Sequence, residues 1–318
     1  MAARPLLPTL SLVLSMLLWA SSFIALKLAF RFYHPMWVIF GRMAVASLLF
    51  LFWLPQFRTI RFRRRDLPIL AGMALCEPCL YFILEAKALE NTSASQAALI
   101  TTLMPLMVAV GAALAFKEKL SGRALVGFAV AIGGAGLLSV GGGASEGAPN
   151  PLLGNFCELL AMLCATGYTL FLKRLTSRYP PFFLTAFQAF VGTLFFLPFL
   201  FLPGTLFPAG WPLQPTLAVV YLGLFVTLGA YALYNFAVSR IPAGQAAAFI
   251  NLIPVLTLLL ARLILDERLT LMQYLAGGLV FLGVFLSQEK ASQAVPTAVG
   301  ERVAGKEETA PRQGAPSR

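Results

Sequence analysis

Apolar runs of roughly 20 residues, each long enough to cross a hydrocarbon core of about 30 Å as a helix, alternate along the chain with short polar, proline- or glycine-bearing breaks. Ten can be marked, near 6–28, 35–55, 68–89, 93–115, 122–140, 152–173, 182–202, 215–238, 243–264 and 271–288. The pattern predicts an all-α integral membrane protein with ten transmembrane helices. The opening MAARPLLPTLSLVLSMLLWASS carries the charge and small-residue site of a secretory signal. We read it as a retained first helix, because the second half holds a counterpart with no N-terminus to cleave.

That counterpart is part of an internal repeat. Gln96–Leu120 reads QAALITTLMPLMVAVGAALAFKEKL, and Gln245–Leu269 reads QAAAFINLIPVLTLLLARLILDERL. An offset of 149 residues aligns Gln96 with Gln245, Pro105 with Pro254 and Glu118 with Glu267. Shared Leu and Ala say little in apolar helices, but a matched Gln, mid-helix Pro and terminal Glu identify a duplication. An offset of 146 aligns Lys27 with Lys173 and Pro35 with Pro181, and sets Arg42 opposite Gln188. The chain thus divides into a first five-helix repeat over 6–140, a flexible glycine-rich linker over 141–151, and a second repeat over 152–288. A tail over 289–318, rich in Ala, Gly, Glu, Pro and Gln, is expected to be disordered and cytoplasmic.

Five helices per repeat invert the second repeat relative to the first, and the charges test this. With a cytoplasmic N-terminus, 18 of the 24 Lys and Arg fall inside: Arg4, the Arg58–Arg65 cluster, Lys117, Lys119, Arg123, Lys173, Arg174, Arg178, Arg240 and five in the tail. Lys27, Arg31, Lys87, Arg262 and Arg268 fall outside, and Arg42 lies within the membrane. This bias follows the positive-inside rule and predicts a multi-pass protein of a cell membrane, a bacterial inner membrane, with both termini cytoplasmic.

Composition agrees: 59% of residues are hydrophobic and 12% charged. The net charge of +11 does not indicate nucleic acid, since the basic residues sit in short connections and the tail without interleaved aromatics. Cys76, Cys79, Cys157 and Cys164 lie in apolar segments and read as small buried hydrophobes. His34 is the only histidine, so multi-histidine metal sites are ruled out and a serine–histidine triad is disfavoured. No catalytic residue, metal or cofactor is assigned.

The doubled Gln-Ala-Ala…Pro…Glu-x-Leu pattern, the glycine-rich helices that follow (Gly127, Gly133, Gly134; Gly277, Gly278, Gly283) and Leu18-Trp19-Ala20-Ser21-Ser22-Phe23 resemble the drug/metabolite transporter superfamily, most of all its ten-helix EamA branch. Ala20 stands where that pattern usually has glycine. The resemblance covers about residues 6–288. It implies export of small metabolites, commonly amino acids or their derivatives, from a central cavity; the superfamily also moves nucleotide sugars, triose phosphates and drugs.

Ionisable groups within a membrane are costly and mark candidate functional positions. On a regular helix Glu77 and Glu85 stand roughly 80° apart with Tyr81 between them, so all three can face one cavity. Glu77 is the deeper and is the candidate for substrate binding and proton coupling, set against a structural ion pair with Arg42. Glu85 is a second coupling candidate, expected near the outer end and better solvated. Arg42 could clamp a substrate carboxylate through its guanidinium fork. Trp19 and Ser22 on the first helix, and Tyr234, Asn235 and Asn251 in the second half, complete the candidate substrate site. Glu158 reads as a charge at a helix N-terminus. Glu118 and Glu267 read as structural corner residues, with Thr270-x-x-Gln273 at capping-box spacing. Pro105 and Pro254 are candidate hinges, since repeated interrupted helices point to a transporter's site. Ala129 and Gly133, four apart, suit close helix contact.

The expected function is secondary export of a small polar metabolite by alternating access, in a lipid bilayer, coupled to a proton or substrate gradient. Sugar-phosphate, nucleotide-sugar or drug transport is the alternative, and an intramembrane enzyme a remote one. Phosphate cargo should require several buried Lys or Arg, whereas this interior sets Arg42 against Glu77 and Glu85. The oligomeric state is not readable.

Overall fold

The computed structural model describes residues 6–61, 63–116, 122–141 and 143–287. Glu118 with Lys117, Lys119 and Ser121, as well as Arg4 and the tail from 289, lie outside the described residues. The rest is nearly all helical. Among the described residues, eight helices are long and apolar enough to span a membrane: α1 (Leu6–Phe30), α2 (Pro35–Phe57), α3 (Arg64–Asn91), α4 (Ala94–Gly111), α6 (Pro151–Leu175), α7 (Pro181–Phe201), α8 (Leu213–Arg240) and α9 (Ala243–Ile264). Two shorter apolar helices, α5 (Leu125–Gly141) and α10 (Leu271–Leu286), complete the ten.

Local chemistry sets the helix starts. Ser93 Oγ accepts from Gln96 N at 3.2 Å and opens α4, and Asn150 Oδ1 accepts from Leu153 N at 3.2 Å and opens α6. Thr270 and Gln273 exchange both bonds of a capping box, at 2.8 and 3.3 Å, to start α10. Proline occupies the first turn of α2, α6 and α7, where its missing amide costs nothing.

Packing repeats the sequence symmetry. Helix α1 lies against α8 and α9, and its counterpart α6 lies against α3 and α4. Helices α2 and α7 pack together and reach α8 and α3 respectively, and α5 pairs with α10. Each repeat therefore buries its main faces on the other. The α5–α10 seam is tightest at one matched pair of glycines. A Cβ on Gly134 would come within 2.7 Å of Val280 N, and a Cβ on Gly283 would meet the backbone of Ala131 and, at 2.6 Å, Gly127 O. The offset of 149 converts one contact into the other. The expected pair, Ala129 and Gly133, is not at this seam: Ala129 is exposed and Gly133 faces open space, one helical step round.

The linker is tied down rather than loose in its described part. Ser145 and Ala148 exchange backbone bonds at 3.0 Å, Lys27 Nζ donates to Gly147 O at 2.7 Å, and Asn150 N bonds Asn91 O at 3.1 Å.

Both α4 and α9 are interrupted, though just before their prolines rather than at them. In α4 the break falls at Thr102–Leu103 and Pro105 is the second residue of the following segment. In α9 a tight turn over Phe249–Asn251 precedes Leu252–Ile264, with Pro254 in its first turn. Proline there loses no intrahelical bond, which is why the break lies upstream.

Candidate functional site

Helix α3 is not regular where its glutamates lie. Over Leu75–Leu80 it widens into π-type turns, and Glu77 has extended backbone angles (φ −149°, ψ 118°) ahead of a cis bond to Pro78. Glu77 and Glu85 therefore do not stand on one unbroken helix at an 80° spacing, yet with Tyr81 they still line a single cavity. Helix α8 widens over Leu222–Ala230, the equivalent place in the second repeat. Wide turns of this kind are frequent at functional sites.

Across each wide turn reaches one residue of the opposite repeat. Gln188 Nε2 on α7 donates to the Glu77 carbonyl at 3.0 Å, and Arg42 Nε on α2 donates to Thr227 Oγ1 on α8 at 2.9 Å. Arg42 and Gln188 are the matched positions of the repeats, so each repeat sends the same position to the other's wide turn, with different chemistry.

Between these helices lies a cavity lined by residues of both repeats. Ten of its sixteen wall residues form matched pairs: Trp19 and Ala165, Ser22 and Tyr168, Glu85 and Tyr234, Thr101 and Ile250, Met104 and Ile253. The charges are one-sided. Arg42, Glu77 and Glu85 all belong to the first repeat, while the second contributes Tyr168, Thr169, Tyr231 and Tyr234.

The polar groups form two clusters. In the first, Arg42, only 2% exposed, places Nη1 3.8 Å from Glu85 Oε2 and lays its guanidinium 4.3 Å from the centre of the Phe82 ring. Tyr81 OH donates to the other oxygen, Glu85 Oε1, at 3.1 Å. Two expectations change here. The partner of Arg42 is Glu85 rather than Glu77, and Glu85 is buried rather than solvated, because α6 covers its side of α3. In the second cluster, the Tyr231 hydroxyl donates to Glu77 Oε1. Trp19 packs edge-on to Tyr231, with centroids 5.2 Å apart, and against Tyr234 at 4.9 Å, leaving its Nε1 without a protein acceptor. Ser22 Oγ is turned back onto Trp19 O at 2.7 Å.

Asn235 is not on the cavity wall. It sits behind Tyr168, whose hydroxyl it accepts, and its Nδ2 donates to Thr185 Oγ1 at 3.0 Å. Asn251 is also off the wall, in the tight turn before Pro254, with a buried Oδ1 that has no partner. Glu158 departs most from expectation. It lies seven residues inside α6, is 0% exposed, and neither carboxyl oxygen has a hydrogen-bond partner. Tyr231, Tyr168 and Thr169 were not singled out from the sequence, and Gln188 was named there only as the counterpart of Arg42. Tyr231 could have been found as the residue one turn before Tyr234 on the same face.

The pattern of the EamA-like transporter family matches the chain twice, over residues 6–140 and 152–288. The chain belongs to this family. A relative from Archaeoglobus fulgidus, described as an uncharacterized transporter, is 27% identical over 88% of this chain and 98% of its own length. A probable terminal-alkyne amino-acid exporter of Streptantibioticus cattleyicolor is 27% identical over 87% of this chain and 91% of its own. A probable amino-acid metabolite efflux pump of Escherichia coli is 29% identical over 55% of this chain and 60% of its own. A crystal structure with 18% identity superposes at a TM-score of 0.62 over 88% of this chain and 96% of that one, a likeness of fold. This EamA-like chain is thus a multi-pass membrane protein of a transporter family, and its interior cavity is where cargo chemistry is to be sought.

Proposed function

We propose that the protein exports a small zwitterionic or cationic metabolite, an amino acid or a relative of one, by alternating access. The observation that carries this is the cavity between the repeats, lined in part by matched positions yet holding one guanidinium against two carboxyl groups. A cargo carboxylate finds Arg42 and the Trp19 indole N–H. A cargo ammonium finds Glu77 and the faces of Trp19 and Tyr234, where cation–π attraction adds to the charge. A dianionic sugar phosphate meets two glutamates and a single arginine that already has a partner, so the charge balance disfavours it. Glu77 and Glu85 are the proposed coupling groups, and the breaks before Pro105 and Pro254 the hinges about which the two repeats rock. The relatives described as a probable terminal-alkyne amino-acid exporter and a probable amino-acid metabolite efflux pump support the cargo class.

Vesicles reconstituted with the protein and loaded with labelled amino acids should release zwitterionic or basic ones faster than empty vesicles do. Release of sugar phosphates alone would overturn the cargo class. For placement, we propose a cytoplasmic membrane with both termini inside, on the distribution of basic residues. Reporter fusions at Gly143 and Gly204 should read as external and one at Arg64 as internal; an external Arg64 reverses the orientation.

A further inference from the structure

Among the described residues, Glu158 is the one buried carboxyl group without a hydrogen-bond partner. It faces the same side of α6 as Met162, Ala165 and Thr169, which line the cavity, at spacings of four, three and four residues. It therefore stands one turn beyond the cavity, toward the α6 N-terminus, about 10 Å inside the helix start at 1.5 Å per residue. The titratable groups that α3, packed against α6, brings to the neighbouring cavity wall are Glu77, Tyr81 and Glu85. Lys87, also on α3, points out to solvent and pairs with Glu90. Helices α4 and α5 present Gln96 and Ser139 to this side of α6, both bonded to Asn155 Nδ2 at 3.1 Å, and no titratable group among the described residues. Tyr231 and Tyr234 on α8 lie deeper, within the cavity.

An ionised carboxylate with no donor and no exposed surface is the costliest form this side chain could take. A structural charge would have found a partner, as Glu85 and Glu267 have. We propose that Glu158 is a proton-carrying group that exchanges with Glu85, making a two-carboxyl relay between the α3–α4 end of the bundle and the cavity. The proton leaves a Glu158 oxygen and binds a Glu85 oxygen as the latter separates from Arg42, so charge moves and no bond order elsewhere changes. The relay rests on the transport reading for its purpose, and on the proposed orientation for facing the outside.

The test needs no transport substrate, so its failure is separable from failure of the transport reading. Dicyclohexylcarbodiimide attacks protonated carboxyl groups in apolar surroundings. It adds the acid's proton and oxygen across its C=N bond and rearranges to a stable N-acylurea. The full-length protein in lipid vesicles, treated with this reagent and mapped by peptide mass spectrometry, should carry an adduct on Glu158 that is lost as pH rises. E85Q should move the pH at which that labelling is lost. In parallel, infrared spectra should show a protonated-carboxyl C=O band that E158Q removes. Labelling of Glu77 or Glu85 with Glu158 untouched, a Glu158 profile that E85Q leaves unmoved, or a carboxyl band unchanged in E158Q each overturns the relay. Mapping on the unmodified chain keeps the test decisive even if E158Q folds poorly.

Discussion

Removing the Glu267 side chain tests how the two repeats are joined. Glu267 lies in the loop between α9 and α10 of the second repeat, yet it caps α4 of the first. Its Oε1 accepts from Ala94 N at 3.0 Å, and its Oε2 accepts from Ser95 N at 3.0 Å and Ser95 Oγ at 2.6 Å. A carboxylate at a helix N-terminus satisfies donors that have no intrahelical partner and complements the helix dipole. Losing an N-cap costs about 0.5–2 kcal/mol, and the charge at a helix end adds about 0.3–1 kcal/mol. Ala94 and Ser95 are both buried, so their amides would not readily regain water, which places E267A toward the upper end. We expect E267A to lose about 2–3 kcal/mol, and S95A, which removes one bond, about 1 kcal/mol. Reversible unfolding by SDS in mixed micelles gives these differences directly. In the double variant the losses should fall short of additivity by about 1 kcal/mol, the shared bond being counted once. E267A within about 0.5 kcal/mol of the unmodified protein, or strictly additive losses, would refute the cap's contribution.

The remaining expectations concern the seam and the cavity. G134A and G283A should each weaken the α5–α10 seam and lower the unfolding temperature, because a Cβ would meet backbone, while G133A should leave it unchanged; equal effects at 133 and 134 would count against the packing described. R42M should destabilise by about 3–5 kcal/mol by stranding Glu85, and R42M/E85Q should regain part of it; no recovery in SDS unfolding would mean the pair is not the reason. E77Q should abolish pH-gradient-driven flux while leaving exchange at equal concentrations partly intact, and Y231F should impair the same flux less. Full pH-driven flux in E77Q would remove Glu77 from coupling.

The sequence by itself determined the number of helices, their limits to within a few residues, and the duplication with its inverted second half. These are local or self-referential features: a helix must satisfy its own backbone in lipid, and a repeat is compared only with itself. The Thr270–Gln273 capping box was legible for the same reason, since both partners lie within one turn. Which face of each helix looks inward was decided only by the tertiary structure. Residues facing lipid and residues facing protein are equally apolar, so no amphipathic stripe marks the buried side. Hence Gly133 looked as suited to close contact as Gly134, and Glu158 passed for a helix-end charge. The partners of Arg42, Glu77 and Glu267 come from distant segments, and Arg42 chose Glu85 over Glu77 because α3 breaks at Glu77. Pro78 stands at that break, while the matching widening of α8 over Leu222–Ala230 holds no proline. It follows from how the two repeats pack, and the sequence carries no local sign of it.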